Sequence, residues 1–212
     1  MTMDIPILYH DDCLVVAVKP PGLLAVPGRG PAKERCLVSL LRALFPPMIA
    51  QPAVHRLDMA TSGLMVVAIT DTAHRWLSRQ FANREVTKEY VAVLDGLVAG
   101  ESGRIELAFR LDPQNRPYQI YDPKNGKLGV SRWRRLGNER GRSRLALFPE
   151  TGRTHQLRLH TAHPLGLGIP IVGDALYGHG RAGDRLLLHA AGLTFFHPVS
   201  GQPLAFRSEP DF

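Results

Sequence analysis

The segment HRLDMATSGL places a histidine, an arginine and an aspartate directly before an apolar run, LMVVAIT. A carboxylate at Asp58, three residues after His55, could act as a metal ligand, as the orienting acid of a triad, as a nucleophile or as a cap for nearby backbone amides. From the letters HRLD alone the capping interpretation is favoured, with Asp58 and Thr61 bonding adjacent amides. Chemistry at Asp58 therefore needs support from other segments.

Several common kinds of active site are not supported by the remaining polar residues. Thr-Ser-Gly lacks the G-x-S-x-G pattern of a serine nucleophile. His155, His160 and His163 are spaced five and three residues apart with no companion carboxylate, so no metal site is predicted. No phosphate-binding glycine loop follows a strand, so no nucleotide cofactor is predicted. A lone aspartate, arginines and isolated aromatics such as Tyr90 remain, and these can act on an RNA base without metal or cofactor.

The charge of the chain points to a polyanionic partner. The sequence has 26 basic and 19 acidic residues, for a net charge of +7, and residues 131–160 hold eight arginines against two glutamates. Two interpretations stay open: a solvated charged face, or a surface that binds RNA or DNA phosphates.

Length and composition bound the class of protein. With 212 residues the chain can form one sizeable domain with a full core, or at most two small domains, and because no low-complexity linker divides it a single domain over residues 1–212 is predicted. No export signal and no apolar run of about 18 residues is present, which predicts a cytoplasmic protein that does not contact a membrane. Cys13 and Cys36 lie in apolar segments and are expected to be buried free thiols. No heptad pattern is seen, which favours a monomer.

The elements that must position these residues follow from apolar periodicity. Around Asp58, we predict a strand pair about the Asp11-Asp12 turn, a short helix in RCLVSLLRALFPP that ends at Pro46, and a buried strand in GLMVVAIT. Asp71 is expected to cap a helix in DTAHRWLSRQFANR, with one shared face made of Ala73, Trp76, Leu77 and Phe81.

The second half of the chain is predicted to be mainly strand. KEYVAVLDGLV, GRIELAFR, GIPIVGD, RLLLHAAGLTFFHP and QPLAFR are predicted strands, and DPQNRPYQIYDPKNGK is predicted to be a loop. A hairpin is expected around GNERG, with Trp133, Leu145 and Leu147 in the core. Thr154 is predicted to cap a helix in THQLRLHTAH. The fold class is α+β, with a mostly antiparallel sheet and flanking helices.

At this point the motifs resemble a known family along nearly the whole chain. HRLDMATSGL is similar to the H-R-L-D-x-x-T-S-G-L signature of the RluA family of pseudouridine synthases. VKPPGLLAVPG, KEYVAVL, TGRTHQLRLH, GDALYG and LLLHAAGLTFFHP resemble further motifs of that family, in the family order. The fold implied is that of a pseudouridine synthase catalytic domain.

The resemblance is greatest to members that modify both large-subunit ribosomal RNA and transfer RNA. Met59-Ala60 fills the variable positions of the signature as in those enzymes, and no S4-like RNA-binding extension is expected. One departure is Val18, which stands where the family usually has an asparagine.

The resemblance also implies a mechanism that requires no cofactor. Asp58 would be the catalytic carboxylate, by attack on ribose C1′, by addition at C6 of the base, or by removal of the 2′ proton; the sequence leaves these three routes open. Arg158 would pair with the aspartate and keep it ionised. Tyr90 would stack on the target uracil and assist its proton transfer.

The same resemblance implies that three further residues contact the substrate. Arg56 would fill the space left by the flipped uridine, and Leu188 would form an apolar wall of the uracil pocket. His55 would be either a phosphate or base contact or a structural residue. The Thr-Ser-Gly segment would form the turn that fixes Asp58.

Three rival functions remain at this stage. A non-catalytic RNA-binding module explains the charge but not the ordered aspartate, tyrosine and arginine. A hydrolase or glycosylase would use Asp58 to release a free base. A family member acting at a single ribosomal or transfer RNA site would share the motifs and differ only in its target.

Overall fold

A computed structural model describes residues 5–28, 30 and 33–212. It contains three helices, α1 (Leu37–Leu44), α2 (Asp71–Ala82) and α3 (Gln156–Ala162). Its strands are β1 (Ile7–His10), β2 (Leu14–Lys19), β3 (Ser62–Ala68), β4 (Thr87–Leu94), β5 (Ser102–Leu111), β6 (Gln119–Tyr121), β7 (Lys127–Glu139), β8 (Arg142–Pro149), β9 (Leu188–Phe196) and β10 (Pro203–Arg207). The predicted α+β class with mostly antiparallel pairing is confirmed.

The chain divides into two compact units, and the division falls inside β4 and β9. The first unit comprises Met1–Lys88 and Ala190–Asp211, and the second comprises Glu89–His189 with Phe212. The expectation of a single domain over residues 1–212 stays a prediction.

In the first unit, the central strand is β3. It pairs antiparallel with β2, with Leu14 opposite Ala68 and Lys19 opposite Gly63, and every residue of β3 is buried. Because both faces are covered, the strand is apolar from Leu64 onward rather than alternating. One face belongs to a core cluster formed by Leu14, Val16, Leu64, Val66, Ala68, Ala73, Leu77, Val86, Leu193 and Phe195.

In the second unit, four antiparallel pairings order the strands β4, β8, β7, β5 and β6. The β7–β8 hairpin turns where Glu139 opposes Arg142, as predicted. Trp133, Leu145 and Leu147 are buried, which confirms their place in the core. Helix α3 packs against β5, β7 and β8, and it carries Arg158.

Two predictions about α2 are wrong. The helix is capped by Thr70, whose hydroxyl accepts a hydrogen bond from the Ala73 amide at 3.2 Å, so Asp71 is the first helical residue rather than the cap. Trp76 is 42% exposed, and Gln80 is buried in its stead because its side chain bonds both backbone groups of Phe196.

Three further predictions fail in the second unit. Helix α3 begins after His155, which has a left-handed backbone and no side-chain cap, so Thr154 does not cap it. The segment GIPIVGD forms only one isolated bridge, between Ile171 and Leu94. The loop over residues 112–127 contains a short strand, β6.

Of the helices in the described ranges, none is both long and apolar enough to cross a membrane.

Candidate active site

Asp58 lies in a loop of the first unit that ends in a turn directly before β3. The Thr61 amide donates to the Asp58 carbonyl at 3.1 Å, which closes the turn around Met59 and Ala60. Thr61 is buried, whereas Asp58 is half-buried. A turn therefore ties the backbone of Asp58 to the rigid start of β3, but the prediction that Thr-Ser-Gly forms it is wrong in part, because Ser62 and Gly63 belong to β3.

Gly63, the second residue of β3, lies where β9 passes close to the strand. Its φ is +116°, a value that side chains rarely tolerate, and a Cβ atom there would overlap the backbone of Ala190 in β9. Only glycine allows β9 to approach the strand at this point.

Lys19 is a buried charge whose role the motif analysis missed. The residue has no exposed surface, and its Nζ donates to the carbonyls of Pro20 (2.8 Å), Leu23 (2.8 Å) and Met59 (3.1 Å). One ammonium thus joins the loop after β2 to the turn after Asp58, and three charge-assisted hydrogen bonds offset its burial. Because its acceptors are backbone carbonyls, the only signal in the sequence is a lysine at the end of an apolar strand.

The neighbouring departure from the family pattern, Val18, takes part in packing. Its side chain packs against the core cluster of the first unit, and its amide donates to the Pro6 carbonyl at 2.9 Å.

His55 is held by structural contacts. Its Nε2 accepts a hydrogen bond from the Val66 amide at 3.1 Å, and its ring stacks on Phe81 with centroids 4.5 Å apart. Burial, assisted by the positive charge of Lys88, lowers the pKa of His55 to about 3. The ring is therefore neutral near pH 7, and its Nε2 is an acceptor toward the protein.

Arg56 lies beside these residues and is exposed. No ion pair holds its guanidinium within the part of the chain that the structure describes. His55, Arg56 and Asp58 therefore share one loop of the first unit but have different surroundings.

In the second unit, Arg158 is clamped by a carboxylate that the motif analysis did not assign. Its Nε and Nη2 donate to the two carboxylate oxygens of Asp174 at 2.8 and 2.7 Å, and both side chains are buried. Burial alone would raise the pKa of Asp174, but the hydrogen bonds and charge of Arg158, with the amides of Leu176 and Tyr177, hold it below its usual range. The bidentate pair fixes the plane of the guanidinium.

Tyr177 supports the same arginine from another side. The Arg158 guanidinium lies over the Tyr177 ring, 5.5 Å from its centroid. The Tyr177 hydroxyl accepts from the Gln119 amide at 2.8 Å, and it also forms a hydrogen bond with His155 Nδ1 at 2.9 Å. His155, with φ of +55°, turns the chain into α3, three residues before Arg158.

Tyr90 and Leu188 complete the predicted set. Tyr90 lies in β4 opposite Leu147 of β8 and is half-buried. Leu188 is buried at the start of β9. The six predicted residues thus divide equally between the units, with Tyr90, Arg158 and Leu188 in the second.

A cluster of possible metal ligands lies at the edge of the first unit, where atoms of Asp11, Cys13 and His197 are within 4.8 Å of one another. Its hydrogen bonds oppose metal binding. His197 Nδ1 accepts from the Val199 and Ser200 amides, so Nε2 carries the hydrogen and donates to Asp11 at 2.7 Å. A metal on Nε2 would require the hydrogen on Nδ1, where it would face the two backbone amides that now donate to that nitrogen. These hydrogen bonds favour a structural role for Asp11 and His197.

Comparison with known proteins identifies the class of enzyme. Residues 13–163 match the family model described as RNA pseudouridylate synthase. The chain belongs to this family, and it is an RNA pseudouridine synthase, an isomerase that converts uridine in RNA into pseudouridine.

The chain is also similar over nearly its whole length to individual enzymes of this family. The chain is 41% identical to the dual-specificity RNA pseudouridine synthase RluA of Yersinia pestis, over 97% of this chain and 99% of that protein. It is 42% identical to the protein of the same name from Haemophilus influenzae, over 97% of this chain and 93% of that protein. The predicted family is confirmed.

A solved structure agrees. Human RNA pseudouridylate synthase domain containing 1 superposes with a TM-score of 0.77 at 28% identity, covering 99% of this chain and 84% of that chain.

Proposed function

We propose that this enzyme modifies uridines in two kinds of folded RNA, a large-subunit ribosomal RNA and the anticodon arm of transfer RNAs. The observation that carries this proposal is 41–42% identity, over 97% of the chain, to enzymes described as dual-specificity. We infer further that it works in the cytoplasm, as a monomer and as one catalytic domain.

Asp58 is the proposed catalytic carboxylate. The reaction breaks the bond between ribose C1′ and base N1, rotates the uracil and joins C1′ to C5, while N1 gains a proton and the C5 proton leaves to solvent. Because no other atom or electron is exchanged, the reaction needs no cofactor. A carboxylate held by the turn before a buried strand is a suitable group for a reaction that requires an anion beside the ribose.

The other motif residues receive the roles of their family counterparts. Arg158 is the arginine that keeps Asp58 ionised, and Tyr90 is the ring that stacks on the uracil. Arg56 occupies the space of the flipped base, a role suited to an exposed guanidinium. Leu188 lines the uracil pocket. His55 keeps its proposed place near the substrate, where its neutral, bonded ring favours support of the loop over phosphate binding.

Release of tritium tests the proposal. Ribosomal and transfer RNA carrying tritium at uracil C5 are incubated separately with the enzyme, and both should release tritium to water while the RNA chain stays intact. Release from only one RNA would replace dual specificity by a single target. Free uracil in solution would indicate a glycosylase.

The matched variant is Asp58→Asn, which keeps the size of the side chain. It should abolish tritium release and leave RNA affinity within about tenfold, because affinity rests mainly on phosphate contacts. Retained activity would remove Asp58 from its role. Sedimentation of the free enzyme tests the monomer.

A further inference from the structure

The tyrosine loop, defined here as residues 112–127, has a composition unlike that of an ordinary connection. It exposes two aromatic rings, Tyr118 (37% exposed) and Tyr121 (38% exposed). It also exposes three cations, Arg116, Lys124 and Lys127. None of these three cations has a carboxylate partner among the described residues.

By comparison, most of the arginines in the stretch 131–160 form ion pairs with carboxylates. Five of its eight arginines face a carboxylate: Arg132 with Glu150, Arg135 with Glu101, Arg140 with Glu139, Arg142 with Asp95, and Arg158 with Asp174. The tyrosine loop, in contrast, combines two exposed aromatic rings with three cations that have no carboxylate partner among the described residues.

Two turns hold the loop in shape. Asp112 accepts from the Gln114 amide at 3.0 Å and from the Asn115 side chain at 2.9 Å. Asp122 accepts from the Lys124 and Asn125 amides at 3.1 and 2.9 Å and also pairs with Arg110. Both acidic side chains are thus occupied by local hydrogen bonds, which restrain the backbone of the loop and lower the entropy that its backbone would lose on binding.

The loop is continuous with the neighbourhood of Arg158. The Gln119 amide donates to the Tyr177 hydroxyl, and the Tyr118 ring meets the Tyr177 ring edge-on at 5.9 Å. The Arg158 guanidinium lies over the same Tyr177 ring. An RNA that reaches Arg158 would consequently find the tyrosine loop beside it.

We propose that the tyrosine loop is a second RNA-contact surface of this enzyme. Tyr118 and Tyr121 stack on unpaired bases, which every base permits through its π face. Arg116, Lys124 and Lys127 bind phosphates of the same strand. This inference rests on the proposed function, in which the substrate is a folded RNA with unpaired uridines.

Equilibrium binding of a fluorescein-labelled RNA hairpin with an unpaired, uridine-containing loop tests the cations. The triple variant Arg116→Ala, Lys124→Ala, Lys127→Ala should raise the Kd about tenfold or more and lower the slope of log Kd against log salt by about two. The control removes three exposed cations of the first unit, Arg35, Arg75 and Arg79, and should change both quantities much less. An unchanged Kd in the loop variant, or an equal loss in the control, would overturn the proposal.

The rings are tested by paired substitutions on two probes. Tyr118→Leu and Tyr121→Leu should each weaken hairpin binding at least about fivefold, while Tyr118→Phe and Tyr121→Phe retain affinity because the ring is kept. A blunt RNA duplex without unpaired bases should not distinguish leucine from phenylalanine. Equal binding of the leucine and phenylalanine variants to the hairpin would contradict stacking.

Tritium release by the unaltered enzyme separates the two hypotheses. If it releases tritium while the loop variants bind normally, only the tyrosine loop proposal fails. If no RNA is modified but the loop variants still lose affinity, the proposed function fails and the surface remains an RNA contact.

Discussion

Two buried charged side chains, Lys19 and Asp174, hold the motif residues in place through contacts that sequence patterns do not reveal. Lys19 bonds carbonyls as far as forty positions away, at Met59, and Asp174 reaches Arg158 across sixteen. Asp58 could be identified as a candidate from the sequence because a motif consists of the side chains themselves. The contacts that hold these residues could not be identified in this way. Every residue has a backbone carbonyl, so the sequence does not show which carbonyls Lys19 bonds, and only the fold brings Arg158 and Asp174 together.

Lys19→Met tests the support of the Asp58 turn. Three carbonyls lose their donor, so the free energy of unfolding should fall by about 3 kcal/mol. Tritium release should slow about tenfold or more as the turn at Met59 loosens. Lys33→Met, at an exposed position, is the control for both measurements. Wild-type stability in Lys19→Met would mean that the three hydrogen bonds contribute nothing net.

Asp174→Asn tests the clamp on Arg158. Breaking a buried ion pair on one side leaves an uncompensated charge, so urea unfolding should show a loss of about 3 to 5 kcal/mol. The control, Asp95→Asn, breaks the largely exposed pair with Arg142 and should cost less than about 1 kcal/mol. Similar losses in the two variants would show that burial adds nothing to the Arg158 pair.

At the scale of elements, periodicity located the first half of the chain well and the segment after α3 poorly. Helix α2 was predicted because its apolar residues recur at helical spacing, yet two polar side chains decide its details: Thr70 caps it, and Gln80 is buried by bonding Phe196. Residues 168–174 are apolar enough for a strand, but their neighbours supply only one bridge. Pairing partners, not local pattern, decide such segments.

The cap assignment in α2 leads to a direct comparison. Thr70→Ala should lower the free energy of unfolding by about 1 kcal/mol, because the Ala73 amide loses its acceptor. Asp71→Ala should cost only about 0.3 kcal/mol, through loss of a favourable charge in the first turn. Urea unfolding measures both, and the reverse order would restore Asp71 as the cap.

The start of β3 permits a second test at this scale. Gly63→Ala should cost about 3 kcal/mol or more, because a strained φ is combined with overlap on Ala190. Gly141, whose φ of +76° is also positive, lies in open space, so Gly141→Ala should cost only about 1 kcal/mol. A matching cost in both variants would mean that β9 moves aside freely.

On the scale of the whole molecule, charge is distributed unevenly. Residues 89–189 hold 15 basic and 10 acidic side chains, so most of the net positive charge belongs to the second unit. The excess of positive charge was evident from the composition, but which cations are exposed and unpaired was not. Most arginines of 131–160 are paired with carboxylates, whereas the three cations of the tyrosine loop are exposed.

The acid response of the fold depends on two neutral histidines, one in each unit. Burial lowers the pKa of His160 to about 4 and that of His55 to about 3. His160 is only 1% exposed, neither ring nitrogen has a hydrogen-bond partner among the residues that the structure describes, and a Cβ at Gly129 would lie 3.0 Å from its Nε2, so the ring is tightly enclosed.

An unfolded histidine takes up its proton near pH 6.5, whereas these two do so only at lower pH in the folded state. The stability that they provide is complete above pH 6.5 and is lost as the pH falls through the folded pKa values. Paired carboxylates such as Asp174, whose pKa is lowered, begin to lose their contribution only near and below pH 4. The window between pH 6.5 and 4 therefore isolates the histidines.

For His160 the loss across that window should approach about 3 kcal/mol. Urea unfolding of His160→Leu over the same range should show a dependence on pH reduced by about that amount, with the remainder due largely to His55. His179→Leu, at an exposed position, should keep the wild-type profile. A wild-type slope in His160→Leu would mean that the ring takes up its proton in the folded state without penalty, which its enclosure by Phe109 and the strand at Gly129 argues against.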